Sequence, residues 1–231
     1  MSDPEYDNFW CSRWAVENPC VMFSCRYRLA PEAQFGTGHL DASYSVKYFI
    51  ENAQNHGCDP SKIVVQGESG CGWVALGSMI VLMREDPEIC KKIKLLHLQC
   101  PMLGWAVANK YEKKDLEPHF QCVYPYMRDE WGIHCEADKI DENLNNPMLF
   151  PSMLPVEEMK NLPPTIVMYV EYDWASRDSH NLIPKLKEAG VYLDHMFYSG
   201  CAHCFNMTAE EPKTDMSFAD QKQMFADYIL K

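Results

Sequence analysis

A hexapeptide, Gly67-Glu-Ser69-Gly-Cys-Gly72, restricts the fold of this chain more than any other segment. Before it stands Lys62-Ile-Val-Val-Gln66, short, apolar and β-branched, which reads as a buried strand. After it, a helix is expected from about Cys71 to Arg84. A strand that becomes a helix within so few residues needs small side chains at the turn. Such a turn lifts its central serine clear of the sheet, where a carbonyl carbon can reach it. Gly67, Glu68 and Gly72 are therefore read as supports of the turn, and Ser69 as a candidate nucleophile. The N-terminus of that helix also offers backbone N–H groups to a developing oxyanion. One position departs from the Gly-x-Ser-x-Gly pattern: Cys71 stands where the second glycine belongs.

The same alternation runs through the chain. Residues 6–17 read as a helix with Phe9, Trp10, Trp14 and Val16 roughly on one side, stopped by Pro19. Cys20-Val-Met-Phe-Ser-Cys25 reads as a short buried strand. Asp41 opens a helix that ends at Asn55-His-Gly57, with Gly57 past its C-terminus. Further strands are expected at Lys94–Gln99, Pro164–Val170 and Asp194–Tyr198. A helix is expected over Ser179–Ala189, bent or restarted by Pro184, and an amphipathic one ends the chain. Strands alternating with helices predict one α/β domain over residues 1–231, a mostly parallel sheet covered on both faces. Residues 105–161, rich in aromatics, acids and prolines, interrupt the pattern. So long an insert between strands reads as a partly helical cap.

Composition excludes several functions. The 231 residues carry a formal net charge of −12, which opposes a nucleic-acid surface and an anionic membrane. The most apolar stretches, such as Val74–Met83, are about half the length of a bilayer span. The acidic start, Met1-Ser-Asp-Pro-Glu-Tyr-Asp, lacks the apolar run of a signal peptide. Eleven cysteines without an export signal point to a reduced cytoplasmic protein, in which the Asn206-Met-Thr208 sequon goes unused.

Two further segments carry chemistry. Asp173 falls just after an apolar strand, where open α/β sheets place functional groups. Asp178 is its rival but better suits a helix N-cap. His203, in Ser199-Gly-Cys-Ala-His-Cys-Phe205, follows the last strand and is preceded by small residues. Ser69, Asp173 and His203 thus read as nucleophile, orienting acid and base. Cys201-Ala-His-Cys204 could be redox-active or half a zinc site. It follows the last strand rather than opening a helix, and no second pair of ligands has suitable spacing, so no metal is expected.

With these residues placed, the chain resembles the hormone-sensitive-lipase-like family of α/β-hydrolases. Tyr27-Arg-Leu-Ala-Pro-Glu32 is the most specific match. Asp59-Pro-Ser-Lys-Ile-Val-Val-Gln-Gly-Glu-Ser69, Asn161-Leu-Pro-Pro164 and the Asp173 and His203 segments match later landmarks, in the Ser…Asp…His order of that fold. The resemblance implies hydrolysis of small esters with short or medium acyl chains, through an acyl-enzyme, by a Ser69–His203–Asp173 triad, with the Gly70 N–H donating to the oxyanion and no cofactor needed. It also exposes a gap. Members carry a His-Gly-Gly-Gly-type loop upstream, with earlier strands, and this sequence has no glycine before Gly36. Losing one oxyanion donor costs ~100- to 1000-fold in rate. The strand at Cys20–Cys25 would then be an exposed apolar edge, open to an oligomeric partner or a second chain. The sequence therefore fits an N-terminally shortened esterase, or a hydrolase-fold protein that binds a small molecule or partner without turnover.

Overall fold

The computed structural model describes residues 7–108, 139–207 and 212–231. Four strands form one sheet: β1 Ile63–Glu68, β2 Ile93–Gln99, β3 Thr165–Tyr172 and β4 Tyr192–Ala202. They lie in the order β1-β2-β3-β4, and every pair is parallel. The helices α1 Asn8–Glu17 and α2 Thr37–Asn52 precede the sheet, α3 Gly70–Glu85, α4 Pro87–Cys90, α5 Trp105–Ala108, α6 Val156–Met159 and α7 Ser176–Ala189 lie on the crossovers, and α8 Thr214–Tyr228 follows β4.

Alternate residues of the central strands feed different faces, as the period of two in a strand requires. Leu96, Leu98 and Val167 pack with Leu76, Met79 and Ile80 of α3 and Leu182 and Leu186 of α7. Leu95 and Ile166 pack with Met224 and Ile229 at the C-terminal end of the chain. Both faces are therefore covered, which explains why β2 and β3 are nearly continuous apolar runs.

Several expectations need correction. No strand forms at Cys20–Cys25: the segment lies outside the sheet, with Val21 and Phe23 each 49% exposed. An apolar run becomes a strand only beside a hydrogen-bonding partner, and here β1 pairs only with β2 among the described residues. On α1, Trp10 and Trp14 are buried against Phe218 of α8, but Phe9 and Val16 face solvent. α7 runs through Pro184 without a restart. Pro184 is exposed, so the ring meets solvent rather than the core, and the helix loses only one N–H donor there. Of the insert at 105–161, residues 109–138 lie outside the described residues. Its flanks pack on the domain: Ile140, Leu144, Leu149 and Phe150 join Trp73 and Val74 of α3, and Trp73 Nε1 donates to Leu149 O at 2.9 Å.

Candidate active site

The residue after each strand lies at the C-terminal edge of the sheet: Ser69 after β1, Cys100 after β2, Asp173 after β3 and His203 after β4. Parallel pairing aligns them. Glu68 opposes Gln99, and Tyr172 opposes Ala202.

Ser69 sits at φ 55°, ψ −123°, a sparsely populated conformation for a residue with a side chain. Backbone bonds hold it there. Its N–H donates to Gln99 O at 2.9 Å, and its carbonyl accepts from Gly72 N at 2.9 Å and Met102 N at 3.1 Å. The turn closes because Gly67 has no side chain: a Cβ there would stand 2.2 Å from Cys71 O. A Cβ on Gly72 would stand 2.9 Å from the Pro101 ring, whereas one on Gly70 would meet nothing within 4 Å. Cys71 is tolerated because its thiol turns outward to the Tyr27 hydroxyl at 3.4 Å. The Tyr27–Glu32 segment is fixed in turn by Arg28, whose guanidinium makes a two-pronged ion pair with Asp41 at 2.7 and 2.9 Å.

The three residues expected to act together are brought together. Ser69 Oγ lies 2.7 Å from His203 Nε2, and His203 Nδ1 lies 2.8 Å from Asp173 Oδ2. Asp173 is buried, and its other oxygen accepts from Ala175 N at 2.8 Å. The His203 ring is a quarter exposed and stacks on Trp174, with centroids 5.6 Å apart. The loop that carries it is anchored by Asn206, which donates to Gln99 Oε1 at 2.8 Å. The N–H of Gly70 is one of the first-turn donors that a helix leaves without an internal partner. Beside the serine, Met102 Sδ accepts from Ser69 Oγ at 3.3 Å.

Asp178 is neither the orienting acid nor an N-cap, since Ala175 occupies the cap of α7. Its buried carboxylate accepts three backbone N–H groups, from Leu103, Gly104 and Trp105, at 2.6, 3.1 and 2.7 Å. It thereby fixes the loop that carries Met102 to the start of α7. Burial nevertheless raises its pKa to about 7. The carboxyl oxygens of the half-buried Glu68 are also shut off from solvent, without a well-formed hydrogen bond among the described residues, and burial raises the pKa to about 8. Its carboxyl is thus protonated near neutrality, a neutral strut under the turn. Sequence spacing could not reveal either role. The partners of Asp178 lie about 75 positions away, and Glu68 is simply the variable residue of the motif.

A family model described as alpha/beta hydrolase fold matches residues 1–207. The chain is 28% identical over 218 residues to a versiconal hemiacetal acetate esterase of Dothistroma septosporum, covering 93% of this chain and 65% of that protein. It is 27% identical over 190 residues to an arylesterase of Saccharolobus solfataricus, covering 80% and 58%. The chain thus spans about three-fifths of the length of these relatives. Among solved structures, a thermostable esterase from Pseudomonas putida superposes with a TM-score of 0.82 at 18% identity, over 99% of this chain and 70% of that one. A carboxyl esterase from Tuber melanosporum superposes with a TM-score of 0.80 at 14% identity, over 99% and 74%. At such identities the likeness establishes the fold.

Proposed function

Since the chain belongs to the α/β-hydrolase-fold family whose model spans residues 1–207, we propose that it hydrolyses small carboxylic esters through an acyl-enzyme on Ser69. The observation that carries this reading is the unbroken relay from Ser69 Oγ through His203 to Asp173, at 2.7 and 2.8 Å. Asp173 holds the His203 proton on Nδ1, which leaves Nε2 free to accept. Ser69 Oγ attacks the ester carbonyl carbon as its proton passes to Nε2. The carbonyl oxygen becomes an oxyanion beside the Gly70 N–H. Nε2–H then protonates the departing alcohol oxygen, and the carbon–oxygen bond breaks. Water, deprotonated by the same nitrogen, releases the acid and restores the serine. Neither a metal nor an organic cofactor takes part.

The named relatives make acetate and aryl esters the first substrates to test, and the reading extends to short and medium acyl chains. Residues 105–161 act as the cap that shapes the pocket. A reducing cytoplasmic setting accords with nine described cysteines that are all free thiols. No helix among the described residues is long and apolar enough to cross a membrane. The test is turnover of p-nitrophenyl acetate and butyrate by the wild type and by Ser69→Ala. Loss of at least ~1000-fold in the variant is expected, and equal rates would end the proposal.

A second reading, binding without turnover, is favoured by one residue: Cys71 stands where the nucleophile motif has its second glycine. A fluorophosphonate that labels Ser69 at the rate of an ordinary serine esterase would exclude this alternative.

A further inference from the structure

The sheet delivers four residues to the site, and the relay uses three. The fourth is Cys100. It is fully buried, at φ 41°, with its N–H bonded to Met168 O at 2.8 Å. Its Sγ, an Asp173 carboxylate oxygen and a His203 ring nitrogen all lie within 4.8 Å of one another. The nitrogen turned toward Asp173 is Nδ1, because Nε2 faces Ser69.

We propose that Cys100 makes the Asp173–His203 pair a binding site for a thiophilic divalent cation, Zn²⁺ or Cd²⁺, and that occupancy switches the relay off. One sulfur, one imidazole nitrogen and one carboxylate oxygen form a donor set suited to such ions. A tetrahedral zinc with ligands at about 2.0–2.3 Å holds its donors about 3.3–3.6 Å apart. Cys100 Sγ therefore needs to approach by at most about an ångström, while His203 Nδ1 and Asp173 Oδ2, now 2.8 Å apart, open by about half an ångström to admit the ion. Charge also balances: a thiolate and a carboxylate neutralise a dication, which favours binding in a buried place.

The protons follow from the ligands. On binding, the Cys100 thiol releases one proton to solvent. The imidazole stays neutral, and its proton moves from Nδ1 to Nε2 as Nδ1 bonds the metal. Water completes the fourth position. With Nε2 protonated, His203 can no longer accept the Ser69 proton, so the base is lost without displacement of the serine. The bound cation is an inhibitor and takes no part in hydrolysis.

The silencing rests on the esterase reading, but the binding does not, so the experiment reads both. Cd²⁺ is titrated into the full chain, reduced and free of chelator, and the ultraviolet thiolate-to-cadmium absorbance is recorded beside p-nitrophenyl acetate turnover. One equivalent of absorbance that disappears in Cys100→Ser is expected. It persists in Cys20→Ser, which changes an exposed thiol. Turnover of the wild type falls at least tenfold at that equivalent, and Cys100→Ser resists. An identical titration in Cys100→Ser overturns the site. Should that variant not fold, the nitrogen resonances of the His203 ring in the wild type decide. Saturating Cd²⁺ moves the proton from Nδ1 to Nε2, and an unmoved proton overturns the proposal. Cys100-dependent binding without any turnover sinks the esterase reading alone. Turnover without Cys100-dependent binding sinks the metal site alone.

Discussion

Ser69 carries its side chain at a positive φ, and the cost of that conformation is met by neighbours that cannot be changed freely. Gly67 is the clearest. A methyl group there would overlap Cys71 O at 2.2 Å, a contact that only backbone movement can relieve. Gly67→Ala is expected to destabilise the fold by more than ~2 kcal/mol, measured by urea denaturation. Gly70→Ala has open space and a helical conformation, so its stability should stay within ~1 kcal/mol of the wild type. The contrast separates a packing role from mere turn flexibility. Asp178 is a second residue whose weight lies in what it holds. Asp178→Asn keeps the shape but replaces an acceptor-only carboxylate by an amide that can satisfy fewer of the three N–H groups. A loss of ~1.5–3 kcal/mol is expected in the same denaturation experiment. If Asp178 positions the Met102 loop, kcat should also fall while KM changes little.

At the scale of elements, α3 is the piece on which the site turns. It starts at the serine, it is apolar nearly all round, and it is buried over Gly72–Leu82. It approaches α2 closely because Gly77 lies against the His39 ring: a Cβ there would stand 2.5 Å from three ring atoms. His39 also meets Trp73 edge-on at 4.5 Å. Gly77→Ala should push the helices apart and lower the thermal midpoint by several degrees, although alanine is the better helix former. The Tyr27–Glu32 segment illustrates the limits of reading one element at a time. Its residues matched a family pattern, but their work is done on α2 and α3, through Arg28 to Asp41 and Tyr27 to Cys71.

For the whole molecule, three buried ionisable groups set the response to pH. Glu68 holds its proton in the native state up to about 8, whereas its ordinary value is 4.5. Between those values the unfolded chain gives up a proton that the native chain keeps, so stability falls as pH rises and levels off above about 8. Asp178, raised from 3.8 to about 7, acts in the same direction. His97 opposes them. It is buried in β2, its pKa is lowered from 6.5 to about 3 by burial, and it removes stability as pH drops below 6.5. Glu68→Gln should therefore flatten the loss between pH 4.5 and about 8 by up to ~1.4 kcal/mol per pH unit. Urea denaturation across that range checks it. An unchanged slope would mean that Glu68 is ionised in the native state.

The sequence alone determined the alternation of strands and helices, the turn around Ser69 and the order Ser69, Asp173, His203. Each rests on local rules: side-chain periodicity, the small residues a tight turn needs, and the polar residue that follows an apolar strand. Only the tertiary structure decided which groups meet. Cys20–Cys25 has every local mark of a strand and is none, because a strand requires a partner that periodicity does not name. Asp178 looked like a cap and proved to be an anchor for a loop about 75 residues away. Cys100 carries no local mark that sets it apart from the other cysteines, yet it stands beside the relay because parallel pairing carries the end of β2 to the same edge as its neighbours. Contacts of that kind come from register between distant strands, and register is a property of the assembled sheet.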